Sequence, residues 1–194
     1  MAADRGIQRS PLGALQHEAG RRLGLVTRAQ ALKHGLSHST IHRYLSRGDW
    51  RRACKNVYAF CGYPPSWEQH ALAVCLSLGA GAYLCRRAAA RLWDLEGIEE
   101  SPVEVYVPNR KGHRSDGVIL CRTDSLPRKD ATHMGVFPLT SVTRTLIDLG
   151  AACDEEAVEI ALECALRRSL TSLPRLRRRL DELGGCGRRG CRTL

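Results

Sequence analysis

The sequence lacks the long apolar run that a membrane-spanning helix needs. Nowhere do about eighteen apolar residues follow one another, and residues 1–5 have none of the apolar character of a signal peptide. We therefore expect a cytoplasmic protein with no membrane contact. The chain has 194 residues and a 43 % apolar composition, so it can bury a core and is near the size at which two small domains form.

The sequence also lacks the residue spacings of a metal centre or a hydrolytic enzyme. Its nine cysteines are scattered, and the pair Cys186 and Cys191 has no second pair to complete four ligands. Asp94 and Asp116 are isolated acids, whereas helix capping explains the acidic cluster at 154–156. We therefore predict no catalytic residue, no metal site and no cofactor.

The net charge of +10 is distributed unevenly along the chain. Residues 1–62 hold eleven Lys or Arg against three Asp or Glu, a net charge of +8, while residues 63–165 carry −5 and residues 166–194 carry +7. Because binding to phosphates by counterion release needs clustered cations, the two ends are the candidates for nucleic-acid contact. At the carboxy-terminal end, a solvated helix face or a disordered arm explains the arginines equally well.

The amino-terminal segment carries start and stop signals for three short helices. A Ser-Pro step opens the first helix, which Gly24 can end. Thr27 and Gln30 form a capping box that opens the second helix, and Gly35 stops it. Ser37 can then cap a third helix. Two helices joined by a short turn containing glycine are the signature of a helix-turn-helix.

The third predicted helix has one apolar and one polar side. At about 100° per residue, Ile41, Tyr44 and Leu45 face the other helices. The opposite side holds arginines and short or planar hydrogen-bonding residues, which are Ser39, His42, Arg43, Ser46 and Arg47. These residues suit a helix in a major groove, where arginine bonds guanine and serine or histidine reaches phosphates or base edges. The alternative is the solvated face of an ordinary surface helix. His38 shares this helix with His42, and we expect both to face DNA.

Residues 50–54 and 57–60 predict two strands around a turn at Lys55-Asn56, since asparagine tolerates the positive φ of a tight hairpin. Arg51, Arg52 and Lys55 lie on or beside this hairpin and can touch the DNA backbone next to the groove. Three helices followed by a basic hairpin predict a winged helix-turn-helix.

We predict an α+β protein in which this winged helix-turn-helix, residues 1–62, precedes a small mixed helical domain with a short antiparallel sheet at 66–170. Residues 63–65 are the predicted linker, and residues 171–194 a basic carboxy-terminal tail. The second domain contains predicted helices and strands at the following positions: helices at 67–78, 85–95, 141–149 and 154–168, and strands at 103–108, 117–122 and 137–139.

The order of these motifs resembles that of AbiEi-type antitoxins, the antitoxin half of type IV toxin-antitoxin systems. The similarity to their winged-helix domain lies in the runs at 24–32, 35–37, 43–48 and 56–59. The similarity to their middle region lies in the runs at 86–93, 103–108 and 139–149. Together these runs place the resemblance over about residues 12–170.

The resemblance implies a DNA-binding repressor of its own operon, whose winged helix recognises repeats upstream of the gene. It implies that the partner is a nucleotidyltransferase toxin encoded in the same operon, with which the protein forms no stable complex. It also implies self-association on DNA, either as a dimer or as two monomers. Under this resemblance, DNA contact falls on Arg28, Ser39, Thr40, His42, Arg43, Arg47, Arg51, Arg52 and Lys55.

The sequence departs from the family at two places. First, Cys85-Arg86 stands where many relatives have a Ser-His pair. Second, many relatives continue into a Vsr-type nuclease-like domain, whereas this sequence stops at Leu194, before such a domain could begin. We expect either a short natural protein or a piece of a longer one. The alternative function is therefore the targeting half, or a truncated form, of a Vsr-like DNA endonuclease. A third alternative is an interaction module that docks a partner through its acidic middle.

Overall fold

A computed structural model of the chain describes residues 11–99, 101–107, 113–115, 117–121 and 126–184. The chain folds as two compact units, the first ending at Ser77 and the second starting at Leu78. None of the helices in the described ranges has the length and hydropathy needed to span a bilayer.

The first unit is a winged helix-turn-helix extended by one further helix. Its elements are α1 (Pro11–Gly20), β1 (Leu25–Thr27), α2 (Arg28–Lys33), α3 (His38–Ser46), β2 (Trp50–Cys54), β3 (Val57–Phe60) and α4 (Trp67–Leu78). The three strands form an antiparallel sheet in the order β1-β3-β2. Strand β1 was not predicted, because three residues are too short to show a strand pattern.

Local hydrogen bonds explain where these elements begin. Thr27 Oγ1 accepts the backbone N–H of Gln30 at 3.2 Å, and Gln30 Oε1 accepts the backbone N–H of Thr27 at 2.9 Å, which confirms the capping box. Ser37 Oγ accepts the N–H of Thr40 at 3.1 Å and caps α3 as predicted. Asn56 has a φ of +60° in the turn between β2 and β3, which confirms the predicted hairpin.

Helix α4 lies in the first unit, beyond the domain end predicted at residue 62. Gln69 is only 3 % exposed, and its Nε2 donates to the carbonyl of Leu23 at 2.6 Å. Its Oε1 accepts a hydrogen bond from Arg51. Ser77 Oγ donates to the carbonyl of Lys55 at 2.9 Å. These polar contacts fasten α4 to the winged helix, and the apolar pattern of the sequence does not reveal them.

The second unit is an α+β fold whose sheet is larger than predicted and mixed. Its elements are β4 (Tyr83–Leu84), α5 (Arg86–Leu92), β5 (Val103–Tyr106), β6 (His113–Ser115), β7 (Val118–Cys121), a 3-10 turn (Arg128–Asp130), β8 (Ala131–Met134), β9 (Phe137–Thr140), α6 (Val142–Leu149), α7 (Glu155–Arg167) and α8 (Leu173–Gly184). The six strands run in the order β6-β7-β5-β4-β9-β8. The pairs β4-β5, β6-β7 and β8-β9 are antiparallel, as predicted, and the pairs β4-β9 and β5-β7 are parallel. The two-residue strand β4 joins β5 to β9 and completes the sheet.

Helices α5 to α8 share one apolar core in the second unit. Leu146 and Leu149 of α6 pack in one cluster with Leu176 and Leu183 of α8. Residues 173–184 of the predicted basic tail therefore form a helix with one packed side, and its exposed arginines, at 175, 177 and 178, form the solvated helix face that the sequence analysis gave as one interpretation. The rest of that predicted tail, residues 185–194, lies outside the described residues.

A buried network of charges joins α6 and α8. Asp130 is 1 % exposed and accepts hydrogen bonds from Arg144 Nη1 at 2.7 Å and from Arg179 Nε at 2.8 Å. Arg144 Nε also donates to both carboxylate oxygens of Asp148, at 2.9 and 2.8 Å. Burial alone would lower the pKa of Arg144, but the charge of Asp148 and the hydrogen bond to Asp130 raise it instead. The positive charges of Arg144 and Arg179 balance the negative charges of Asp130 and Asp148.

We predict that Asp130→Ala lowers the free energy of unfolding of the second unit by about 3–5 kcal/mol, because it leaves Arg144 and Arg179 without a shared buried partner. The matched control is Asp181→Ala, an exposed acid on α8, for which we expect a change within about 0.5 kcal/mol. Urea unfolding followed by circular dichroism measures both. Equal effects of the two substitutions would contradict the structural role of Asp130.

Candidate nucleic-acid interface

Helix α3 presents its polar side to solvent. Ile41 is buried in the core of the first unit, and Tyr44 and Leu45 pack against the same cluster. Exposed side chains cover the opposite side of the helix and comprise Ser39, His42, Arg43, Ser46 and Arg47. The predicted division of α3 into a packed side and an open side is therefore confirmed.

Trp50 packs α3 against the wing, which we define as the hairpin of residues 50–60. Its indole is 2 % exposed. It stacks on Tyr44 of α3 with ring centroids 5.1 Å apart and on Tyr58 of β3 at 5.8 Å. Phe60 meets its edge at 5.1 Å. Because aromatic rings in such arrangements pack with defined geometry, Trp50 fixes the position of α3 on the wing.

The start of α3 is tied to the start of α2. Arg28 Nη2 donates to His38 Nδ1 at 3.1 Å, and both side chains are exposed. The hydroxyls of Ser39 and Thr40 lie 2.8 and 2.9 Å from the Ser37 hydroxyl. The junction therefore groups one cation with several hydroxyls at the helix start, where backbone N–H groups favour an anion.

The wing exposes two of its three predicted DNA-contacting cations. Arg52 and Lys55 are exposed, and a β-bulge separates Arg52 from Cys54 in the pairing with β3. Arg51 is half-buried, and its guanidinium donates to Gln69. The structure thus turns Arg51 toward α4, whereas the sequence places it among the DNA contacts. No local pattern in the sequence reveals this partner, which lies on another helix.

The side chain of Glu18 contacts the residues of α2 and its C-cap, whereas Asp49, between α3 and the wing, is exposed. Glu18 of α1 accepts hydrogen bonds from Gln30 Nε2 at 2.6 Å and contacts His34 Nε2 at 3.0 Å. The hydrogen bond with His34 is the main cause of the lowered pKa of Glu18, and Gln30 and Arg22 act in the same direction. The carboxylate of Glu18 therefore connects α1 to α2.

The acidic residues singled out in the sequence lie apart from one another in the described part of the chain. Across these ranges, no three His, Cys, Asp or Glu side chains are placed to hold a metal ion. Asp154 accepts the N–H of Ala157 at 2.9 Å and caps α7, as the sequence predicts. Asp94 is exposed beside Arg168, and Asp116 lies outside the described residues.

Comparison with known protein families gives a match within the first unit. A family model described as the transcriptional regulator AbiEi antitoxin matches residues 14–60, which run from α1 to the end of β3. This confirms, for these residues, the resemblance seen in the sequence. The crystal structure of the RV2827C protein from Mycobacterium tuberculosis matches with a TM-score of 0.40 and 19 % identity, over 83 % of this chain and 73 % of that chain. No protein of curated function matches significantly.

We predict that Trp50→Ala lowers the free energy of unfolding of the first unit by about 3–5 kcal/mol, because it empties the site between Tyr44, Tyr58 and Phe60. Leu32→Ala, at an exposed apolar residue of α2, is the control, with an expected change within about 0.5 kcal/mol. Chemical unfolding of both variants measures the difference. A loss below about 1 kcal/mol for Trp50→Ala would show that the indole does not join α3 to the wing.

Proposed function

We propose that this protein is a DNA-binding transcriptional regulator that places α3 in a major groove and the wing on the flanking backbone. The family match supports a regulator of the antitoxin type in general. The observation that carries the proposal is the reading surface, defined as the open side of α3 together with Arg52 and Lys55 of the wing. Trp50 holds its two parts together.

Arg43 and Arg47 are the residues we assign to base contact. They lie one helical turn apart on the open side of α3, and arginine bonds the O6 and N7 edge of guanine with two hydrogen bonds. Ser39 and His42 share that side and can bond phosphates or base edges. Thr40 is half-buried beside them, at the first turn of the helix.

Arg28, Arg52 and Lys55 are the residues we assign to the phosphate backbone. They flank α3 at its start and on the wing, and all three are exposed. Contacts of this kind position a protein on the duplex without reading its sequence. Arg51 is not assigned to DNA, since Gln69 binds its guanidinium.

The biological role we propose is that of antitoxin and autorepressor in a type IV toxin-antitoxin operon. The operator would contain repeats upstream of the gene, read by a dimer or by two monomers. The partner gene would encode a nucleotidyltransferase toxin that forms no stable complex with this protein. Expressing the neighbouring gene with and without this chain tests the antitoxin role by the growth of the host cells.

We predict that replacing both Arg43 and Arg47 with alanine weakens binding to DNA from upstream of the gene far more than binding to a scrambled duplex. A bidentate base contact contributes about 1–3 kcal/mol of discrimination, so each lost arginine should reduce specific affinity by roughly 5- to 150-fold. Electrophoretic mobility shift at moderate salt measures the effect. The control is Arg21→Ala, which removes an exposed cation outside α3 and the wing.

In the same assay, Arg52→Ala and Lys55→Ala should weaken binding to both duplexes about equally. Each should reduce the slope of log affinity against log salt by about one, since each removes one phosphate contact. Absence of any complex between the natural protein and upstream DNA would overturn the proposed function. An equal loss of specific binding in Arg21→Ala would overturn the assignment of base contact to Arg43 and Arg47.

A further inference from the structure

A cavity of about 520 Å³ opens in the second unit. Its walls come from the start of α6, from α8 and from the residues around Trp93 and Asp130. The volume lies in the range of small-molecule sites. We propose that this cavity binds a phosphorylated small molecule of nucleotide size.

Among the described residues, the ion pairs along the cavity do not include two of its arginines. Arg179 bonds Asp130 and also pairs with Glu182, which pairs with Lys129 at 2.5 Å as well, and all four of these side chains line the cavity. Arg175 and Arg178 also line the cavity and are exposed, and neither forms an ion pair within the described part of the chain. Two guanidinium groups that form no ion pair with the described residues provide the positive charge and N–H donors that a phosphate monoester binds.

The start of α6 supplies further groups suited to an anion. Ser141, Val142 and Thr143 are the cap and first two residues of this helix, and all three line the cavity. The first N–H groups of a helix and its dipole favour negative charge. The Thr143 hydroxyl is held 2.7 Å from that of Thr171, which keeps this wall in place. The helix start adds to the two arginines and is not the basis of the site.

The network beneath the cavity keeps the arginine-bearing wall in position. Asp130 binds Arg179 of α8 and Arg144 of α6, so the two helices that carry the polar walls are joined at one buried carboxylate. A ligand would meet a site that is already formed, which reduces the entropic cost of binding.

Part of the cavity lining is apolar and suits the organic part of the ligand. Trp93, Val142 and Leu170 contribute it, and the indole N–H of Trp93 donates to the carbonyl of Thr140 at 2.9 Å. An aromatic side chain held in this way can pack against a nucleobase. The phosphates of a duplex lie along a continuous rod and contact protruding side chains. The concave shape of the cavity therefore favours a free small molecule over a duplex.

Isothermal titration calorimetry of the full chain without DNA tests the proposal. The probes are adenosine 5′-monophosphate, adenosine and inorganic phosphate. We expect the nucleotide to bind at least tenfold more tightly than either adenosine or phosphate, with phosphate competing for the site. The variant Arg175→Gln with Arg178→Gln should lose at least tenfold in nucleotide affinity. The matched control is Arg177→Gln, an exposed arginine of α8 that does not line the cavity, with an expected change below twofold.

Both substituted arginines are exposed, so circular dichroism should show the double variant folded with the Asp130 network intact. No binding of the nucleotide or of phosphate to the natural protein at millimolar concentration would overturn the proposal. So would an equal loss in Arg177→Gln, which would indicate diffuse surface charge. Phosphate binding as tightly as the nucleotide would overturn the nucleotide-sized ligand. A double variant that loses DNA affinity but keeps nucleotide affinity would assign these arginines to the duplex instead.

Discussion

The packing of Trp50 between α3 and the wing is the contact on which the proposed reading surface depends. The cations of α3 and those of the wing lie on separate elements, and a duplex can meet both only if the elements keep a fixed relation. Tyr44 provides the α3 side of this contact, and Tyr58 and Phe60 provide the sheet side. One buried indole therefore converts two basic segments into a single surface that can match a groove and its flanking phosphates.

Different polar contacts accompany the apolar packing in the two units. In the first unit, aromatic packing at Trp50 is joined by side-chain hydrogen bonds to carbonyl groups, as with Gln69 and Ser77 of α4. In the second unit, the carboxylate of Asp130 binds arginines from two helices in a buried position. Buried ion pairs contribute little net stability but are costly to break, so Asp130 acts mainly to fix one arrangement of α6 and α8.

Features encoded by neighbouring residues could be predicted from the sequence. The capping box at Thr27, the cap at Ser37, the hairpin at Asn56 and the two sides of α3 all depend on short spacings. Features that depend on partners distant in the sequence could not be predicted in this way. Arg51 donates a hydrogen bond to Gln69 on α4, and Arg179 donates one to Asp130, which lies 49 residues earlier in the chain. For the same reason an arginine-rich segment predicted as a tail is a helix with one packed side, and a two-residue strand completes a mixed sheet.

Photo-cross-linking of the full chain to upstream DNA that carries 5-bromodeoxyuridine tests the reading surface most directly. Mass spectrometry of the digested complex then identifies the cross-linked peptides. We expect cross-links within residues 38–47, which comprise α3 and its C-cap Arg47, and around the turn at Lys55, both in the same complex. Cross-links confined to residues 126–184, or absent from α3 in a complex that forms specifically, would contradict the placement of α3 in the groove.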